Sequence, residues 1–238
     1  KRGAMDDALE LHRKALEIQI KLRDSVGAAR SYNNMGYIFR RRRDTRHALE
    51  VYSNVEKLLD SEDHPELCEA RIRLAAAYLE MGELDRAREH ALRAFEETEV
   101  GDSDISHARA MAVLGRFYAR AKENELAMQY YSKALEILSD QTDPHSAVEV
   151  SMLLGQVLSD AGRKEEASEQ YIDALVLAEA NDFRMLEGET LARLGEVESD
   201  RSQKMDYLQR SLSVFRELGA VDRMREVQNS VHRAVMGN

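Results

Sequence analysis

Small and apolar positions recur along this chain at helical spacing and, above that, at a much longer one. Ala8, Ala48, Ala87, Ala127 and Ala167 follow one another at steps of 40, 39, 40 and 40 residues. Seven residues beyond each stands a second small or apolar side chain: Ala15, Val55, Ala94, Ala134 and Ala174. A steady period of this size is the mark of stacked copies of one supersecondary unit. It points to a binding surface and away from a catalytic pocket.

The clearest copies are SYNNMGYIFRRRRDTRHALEVY, AMAVLGRFYARAKENELAMQYY and VSMLLGQVLSDAGRKEEASEQY. In each an apolar residue precedes a glycine (Met35, Leu114, Leu154), and an apolar or aromatic one stands three positions after it (Phe39, Tyr118, Leu158). Those two lie four apart and share a helix face. Glycine inside a helix costs about 1 kcal/mol relative to alanine, so its recurrence predicts a neighbouring helix at close range. The laddered alanine twelve residues on then belongs to the second helix of the same hairpin. Gly82 and Gly162 suit helix C-termini, and Pro65 and Pro144, in the turns Asp63-His64-Pro65-Glu66 and Asp143-Pro144-His145-Ser146, suit helix starts. The pattern predicts about twelve helices in antiparallel pairs.

Leu114, Gly115, Tyr118, Ala127, Tyr131 and Ala134, and most of the same set at Met35, Gly36, Phe39, Ala48 and Tyr52, resemble the tetratricopeptide repeat. The resemblance covers almost all of the chain. The long period is similar to the branch found in kinesin light chains, the LGN/Pins adaptors, Rap regulators and the repeat domains of signalling ATPases. It implies an all-α, right-handed superhelical solenoid of antiparallel helix pairs, with the first helix of each pair lining a concave groove. The expected units are 1–24 (partial), 25–63, 64–102, 103–142, 143–181 and 182–219, with a capping helix in 220–238. Three departures stand out. The first unit lacks its first helix; Ala75 replaces the glycine of the third; and in the sixth only nine residues separate Gly195 from the ladder position, Lys204. The truncated first unit and the start at Lys1, without methionine, suggest a piece of something longer.

If glycine faces the partner helix, the groove-lining positions are three before it and one, four and five after it. They are Asn33, Tyr37, Arg40 and Arg41; Ile72, Ala76, Leu79 and Glu80; Ala112, Arg116, Ala119 and Arg120; Met152, Gln156, Ser159 and Asp160; and Ala192, Glu196, Ser199 and Asp200. With Arg73 and Arg109 added, this strip is basic at its N-terminal end, small and apolar in the middle and acidic at its C-terminal end. Ile72, Leu79 and Met152 are the apolar anchors of a peptide groove, unless neighbouring helices bury them. Asn33 and Asn34 occupy positions where the long-repeat branch uses asparagine to hold a peptide backbone. Only one repeat carries them, and a capping or solvation role is the alternative. The run Arg40–Arg43 with Arg46 is either a solvated helix end or a contact for acidic side chains.

Composition narrows the function. Of 238 residues, 43% are hydrophobic, enough for a continuous core, and only 2 are proline. A net charge of −10 argues against nucleic acid as partner. No apolar run approaches a membrane span, and no signal peptide is visible. Cys68 alone excludes an intrachain disulfide, suits a reducing compartment and reads as a small hydrophobe. A cytoplasmic protein is expected. The scattered histidines, among them His12, His64, His90 and His145, form no metal-spaced set, and no phosphate loop or dinucleotide fingerprint occurs. No cofactor, metal or catalytic site is expected. Two readings remain open: a scaffold that binds an acidic peptide or helix of a partner protein, and a regulatory sensor module of a larger signalling protein. Self-association through Ala8, Leu9, Leu16 and Ile20 is a third, weaker one.

Overall fold

The computed structural model describes residues 2–59, 64–99, 104–139 and 143–236, and Asp63 of the first inter-repeat turn lies outside them. Among the described residues there are twelve α-helices and no strand. They are α1 (Arg2–Leu22), α2 (Ser25–Arg41), α3 (Thr45–Leu59), α4 (Pro65–Met81), α5 (Leu84–Glu99), α6 (Asp104–Arg120), α7 (Asn124–Ser139), α8 (Pro144–Asp160), α9 (Lys164–Ala180), α10 (Arg184–Val197), α11 (Arg201–Glu217) and α12 (Val221–Met236). They group into two compact units, Lys1–Ala121 and Lys122–Asn238.

Each unit is built from antiparallel hairpins that stack side by side. In the first, α2 pairs with α3 and α4 with α5, and α2, α4 and α6 lie next to one another as a layer. In the second, α8 pairs with α9 and α10 with α11, α8 neighbours α10, and α12 packs on α11. The fold is the all-α solenoid that the alanine period implies.

The packing explains the period. Ala48, Ala87, Ala127 and Ala167, each the fourth residue of a second helix, are all 0% exposed. The glycines admit rings: a Cβ on Gly36 would stand 2.2 Å from the Tyr52 ring, and one on Gly155 2.6 Å from that of Tyr171. Both tyrosines are fully buried. Turn chemistry closes the hairpins. Gly82 and Gly162 take positive φ, and the next residues, Glu83 and Arg163, each donate a 2.9 Å bond back to Tyr78 and Leu158. Arg43 adopts the same left-handed backbone at the α2–α3 turn without being glycine. Pro65 and Pro144 open α4 and α8, and Asp24, Asp143 and Asp200 cap α2, α8 and α11 through side-chain bonds to Gly27, Ser146 and Gln203.

One expectation is corrected at α1. Leu9 is buried and Leu16 half-buried against the α2–α3 core, because residues seven apart on α1 face α2. Ile20 of the expected set is exposed, and a second open apolar stripe, Leu11, Ile18 and Leu22, runs along the opposite side of α1. Cys68 is buried against Ala94 and Ala110, as a small hydrophobe would be.

Candidate partner-binding face

The first unit sets its first helices, α2, α4 and α6, side by side, so residues at equivalent positions come near one another across the layer. Tyr37 on α2 is 50% exposed, and the Arg73 guanidinium of α4 lies 5.7 Å from its ring centre. Arg73 also donates to Glu69 at 2.6 Å, and Glu69 reaches Arg109 of α6 at 3.5 Å. Burial is the largest influence on Arg73 and works against its charge, but Glu69 and Tyr52 together outweigh it and raise its pKa further. Arg40 donates to Glu80 at 2.5 Å. Arg40 and Glu80, like Glu69 and Arg109, are 40 residues apart, one repeat period.

These pairs revise the electrostatics expected from sequence. The basic strip is interleaved with carboxylates: Arg30 holds Glu66 at 2.8 Å, and Arg42 of the arginine run meets Asp6 of α1 at 2.7 Å. Arg41 and Arg120 remain exposed, Arg116 is half-buried, and Asn34, three residues before Tyr37 on α2, is exposed.

Three candidates are corrected. Leu79 is 1% exposed and Ala76 4%, so neither is presented to a ligand. α4 has α2 on one side and α6 on the other, and those contacts consume the middle of the strip. Asn33 is buried as well. Its Nδ2 donates to the Glu66 backbone carbonyl at 2.9 Å, which ties α2 to the start of α4, and its Oδ1 meets no donor among the described residues. Ile72 is half-buried against Cys68, Ala94 and Ala110. Met152 and Gln156 belong to the second unit. There Met152 is half-buried against Val148, Ala174 and Ala178, and Gln156 donates to Asp160 at 2.8 Å.

Sequence reasoning missed a charged cluster behind this face. Arg71 of α4 is 6% exposed between Glu56 of α3 and Glu97 of α5. Its Nε stands 3.3 Å from Glu56 and its Nη1 contacts Glu97, while His90 of α5 lies 3.3 Å from Glu56. Burial would raise the Glu56 carboxyl, but His90 and Arg71 hold it below its ordinary value. Glu66 is likewise lowered against the effect of burial, by Arg30 and His64. A carboxylate depressed in the fold lends stability that is complete above its unfolded pKa and lost as pH falls through the folded one. Thermal unfolding is therefore expected to drop steeply below about pH 4.5, the ordinary glutamate value. Glu56→Gln should flatten that drop, and an unchanged pH profile in the variant argues against the cluster's role.

Among the described residues no group of His, Cys, Asp and Glu is placed to hold a metal, and no helix is long and apolar enough to cross a membrane. Two models of the tetratricopeptide repeat match the chain, one over residues 1–61 and 66–140, the other over 152–212. No curated protein matches the sequence. Among solved structures, a signal transduction ATPase with a tetratricopeptide repeat sensor from Pyrococcus horikoshii shares 19% identity over 95% of this chain, TM-score 0.71, and this chain spans 38% of it. Aspartyl phosphate phosphatase F of Bacillus subtilis is 13% identical over 92% of this chain and 62% of its own, TM-score 0.72. Apo RapI is 14% identical over 97% and 99%, TM-score 0.66. At such identities the likeness is one of fold.

Proposed function

Because the chain belongs to the tetratricopeptide repeat family, whose repeats serve as protein-interaction modules, we propose that the α2–α4–α6 face binds a segment of a partner protein carrying acidic side chains. The observation that carries this reading is the Tyr37–Arg73 stack, a half-exposed aromatic ring held against a guanidinium. Tyrosine and arginine dominate binding energy at protein interfaces because they combine large contact area with directed polar groups. Arg41, one turn beyond Tyr37 on α2, and Arg120 at the end of α6 are exposed cations that supply long-range attraction for carboxylates. Asn34, three residues before Tyr37, offers an amide that both donates to and accepts from a peptide backbone.

Selection from a display library of short random peptides is expected to enrich sequences rich in Asp and Glu, with affinities that fall as salt rises. Arg40→Glu with Arg116→Glu should weaken the selected peptides at least tenfold, about 1.4 kcal/mol. Tyr37→Ala, which breaks no ion pair, should weaken them as well. Peptides that keep full affinity for both variants sink this placement.

A second reading, a regulatory sensor module within a larger signalling protein, draws support from the fold shared with the ATPase whose sensor is a tetratricopeptide repeat. The two readings differ in the occupant of the face. A scaffold takes a segment of a separate protein, and a sensor takes an inducer or its own effector domain.

A further inference from the structure

The alanine ladder breaks once. The fourth residue of α3, α5, α7 and α9 is a fully buried alanine, and the fourth residue of α11 is Lys204, half-buried. A repeat architecture that keeps one small residue at four equivalent sites and places an ammonium at the fifth has changed the chemistry of that site. Lys204 lines a cavity of about 420 Å³ where α10, α11 and α12 meet, with Gly195, Glu196, Leu208, Ser230 and Arg233 around it. A second cleft, of about 400 Å³ between α10 and α12, shares Glu196, Ser230 and Arg233 with the first.

Among the described residues, the charges of this region leave two cations without a carboxylate. Glu196 is held by Arg193 at 3.0 Å. Glu189 and Glu226 are both held by Arg223, at 2.7 and 2.9 Å. Among the described residues neither Lys204 nor Arg233 has a carboxylate at ion-pair distance. Arg233 instead donates to the Ser230 hydroxyl oxygen at 3.0 Å, which leaves the hydroxyl hydrogen to be donated elsewhere. We propose that the α10–α11–α12 junction is a binding site for a phosphate-type oxyanion, held by Lys204, Arg233 and Ser230. Two cations and a hydroxyl donor match an anion with about two charges and several acceptor oxygens better than they match a single carboxylate. The site lies wholly in the second unit and does not depend on the peptide face of the first.

Lys204→Ala is the decisive variant, because it installs the residue that four other repeats carry and so keeps the fold. The measurement is thermal unfolding of the whole chain while inorganic phosphate is titrated at constant ionic strength against chloride. The expected result is a saturable rise in Tm with phosphate, as a ligand that binds only the folded state produces. It should weaken tenfold or more in apparent Kd in Lys204→Ala and again in Arg233→Gln. O-phosphoserine in place of inorganic phosphate separates the sources. Tighter binding of phosphoserine assigns the site to a phosphate monoester, and tighter binding of inorganic phosphate to the free ion. General salting-out also raises Tm, but it neither saturates nor depends on Lys204. A phosphate effect that is unsaturable, equalled by chloride, or undiminished in Lys204→Ala overturns the proposal.

Discussion

Arg71→Ala is expected to destabilise the first unit by about 3–5 kcal/mol, the usual consequence of removing one member of a buried ion cluster. The size follows from what stays behind. Glu56 and Glu97 come from α3 and α5, on either side of α4, and both remain partly buried without their shared guanidinium. His90 contacts only Glu56, so Glu97 loses the one arginine that this cluster gives it. The lost arginine also removes packing along its aliphatic stem. Urea unfolding at neutral pH checks this: the midpoint should fall sharply, and a loss below about 1 kcal/mol would rank the cluster with exposed ion pairs. Arg71→Met with Glu56→Gln and Glu97→Gln should recover much of the loss, since removing a buried ionic group entirely costs far less than leaving half of it.

Gly36→Ala is the second large effect, and its sign runs against helix propensity. Alanine in a helix interior is worth about 1 kcal/mol over glycine. At Gly36 the added methyl would stand 2.2 Å from a ring carbon of Tyr52, a side chain with no exposed surface and no room to swing. Overpacking of this kind costs about 1–3 kcal/mol and should outweigh the propensity gain. Gly3 supplies the control, because a Cβ there meets nothing within 4 Å, so Gly3→Ala should be neutral or slightly stabilising. The chain contains its own compensated version. Sixteen residues separate Gly36 from Tyr52 and Gly155 from Tyr171, and the same step from Ala75 reaches Ala91. Where the glycine has become alanine, the ring opposite has become a methyl. Gly36→Ala and Tyr52→Ala should therefore be less costly together than their separate losses add up to. Strict additivity in a double-mutant cycle would show that the two sites do not touch.

That pairing also shows what sequence could carry. The ladder, the close helix approach at the glycines, the prolines at helix starts and the turn glycines at helix ends were legible because each recurs at the repeat period, and recurrence separates packing from chance. What occurs once was not. Arg71 reads as one more solvent-facing charge on a helix, and its burial depends on α3 and α5 closing over α4. Leu79 and Ala76 were assigned to an open face by the geometry of one helix alone, whereas α4 has α2 and α6 beside it. Asn33 looked like a free amide until the start of α4 supplied its acceptor. The neutralisation of the basic strip, by contrast, was within reach. Arg40 and Glu80, and Glu69 and Arg109, are opposite charges one period apart, and a column-by-column comparison of the repeats displays them.

Those columns alternate in sign: Arg40, Glu80, Arg120 in one, and Arg30, Glu69, Arg109 in the other. A gene that lost a single repeat by recombination within this unit would bring Arg40 beside Arg120 and Arg30 beside Arg109. The Arg40–Glu80 and Glu69–Arg109 pairs would give way to like charges in register, even though every apolar contact could still form. Loss or gain of two adjacent repeats would preserve the alternation. The alanines make the modules interchangeable, and the charges restrict that exchange to pairs, so this unit carries a parity rule for how it can be copied.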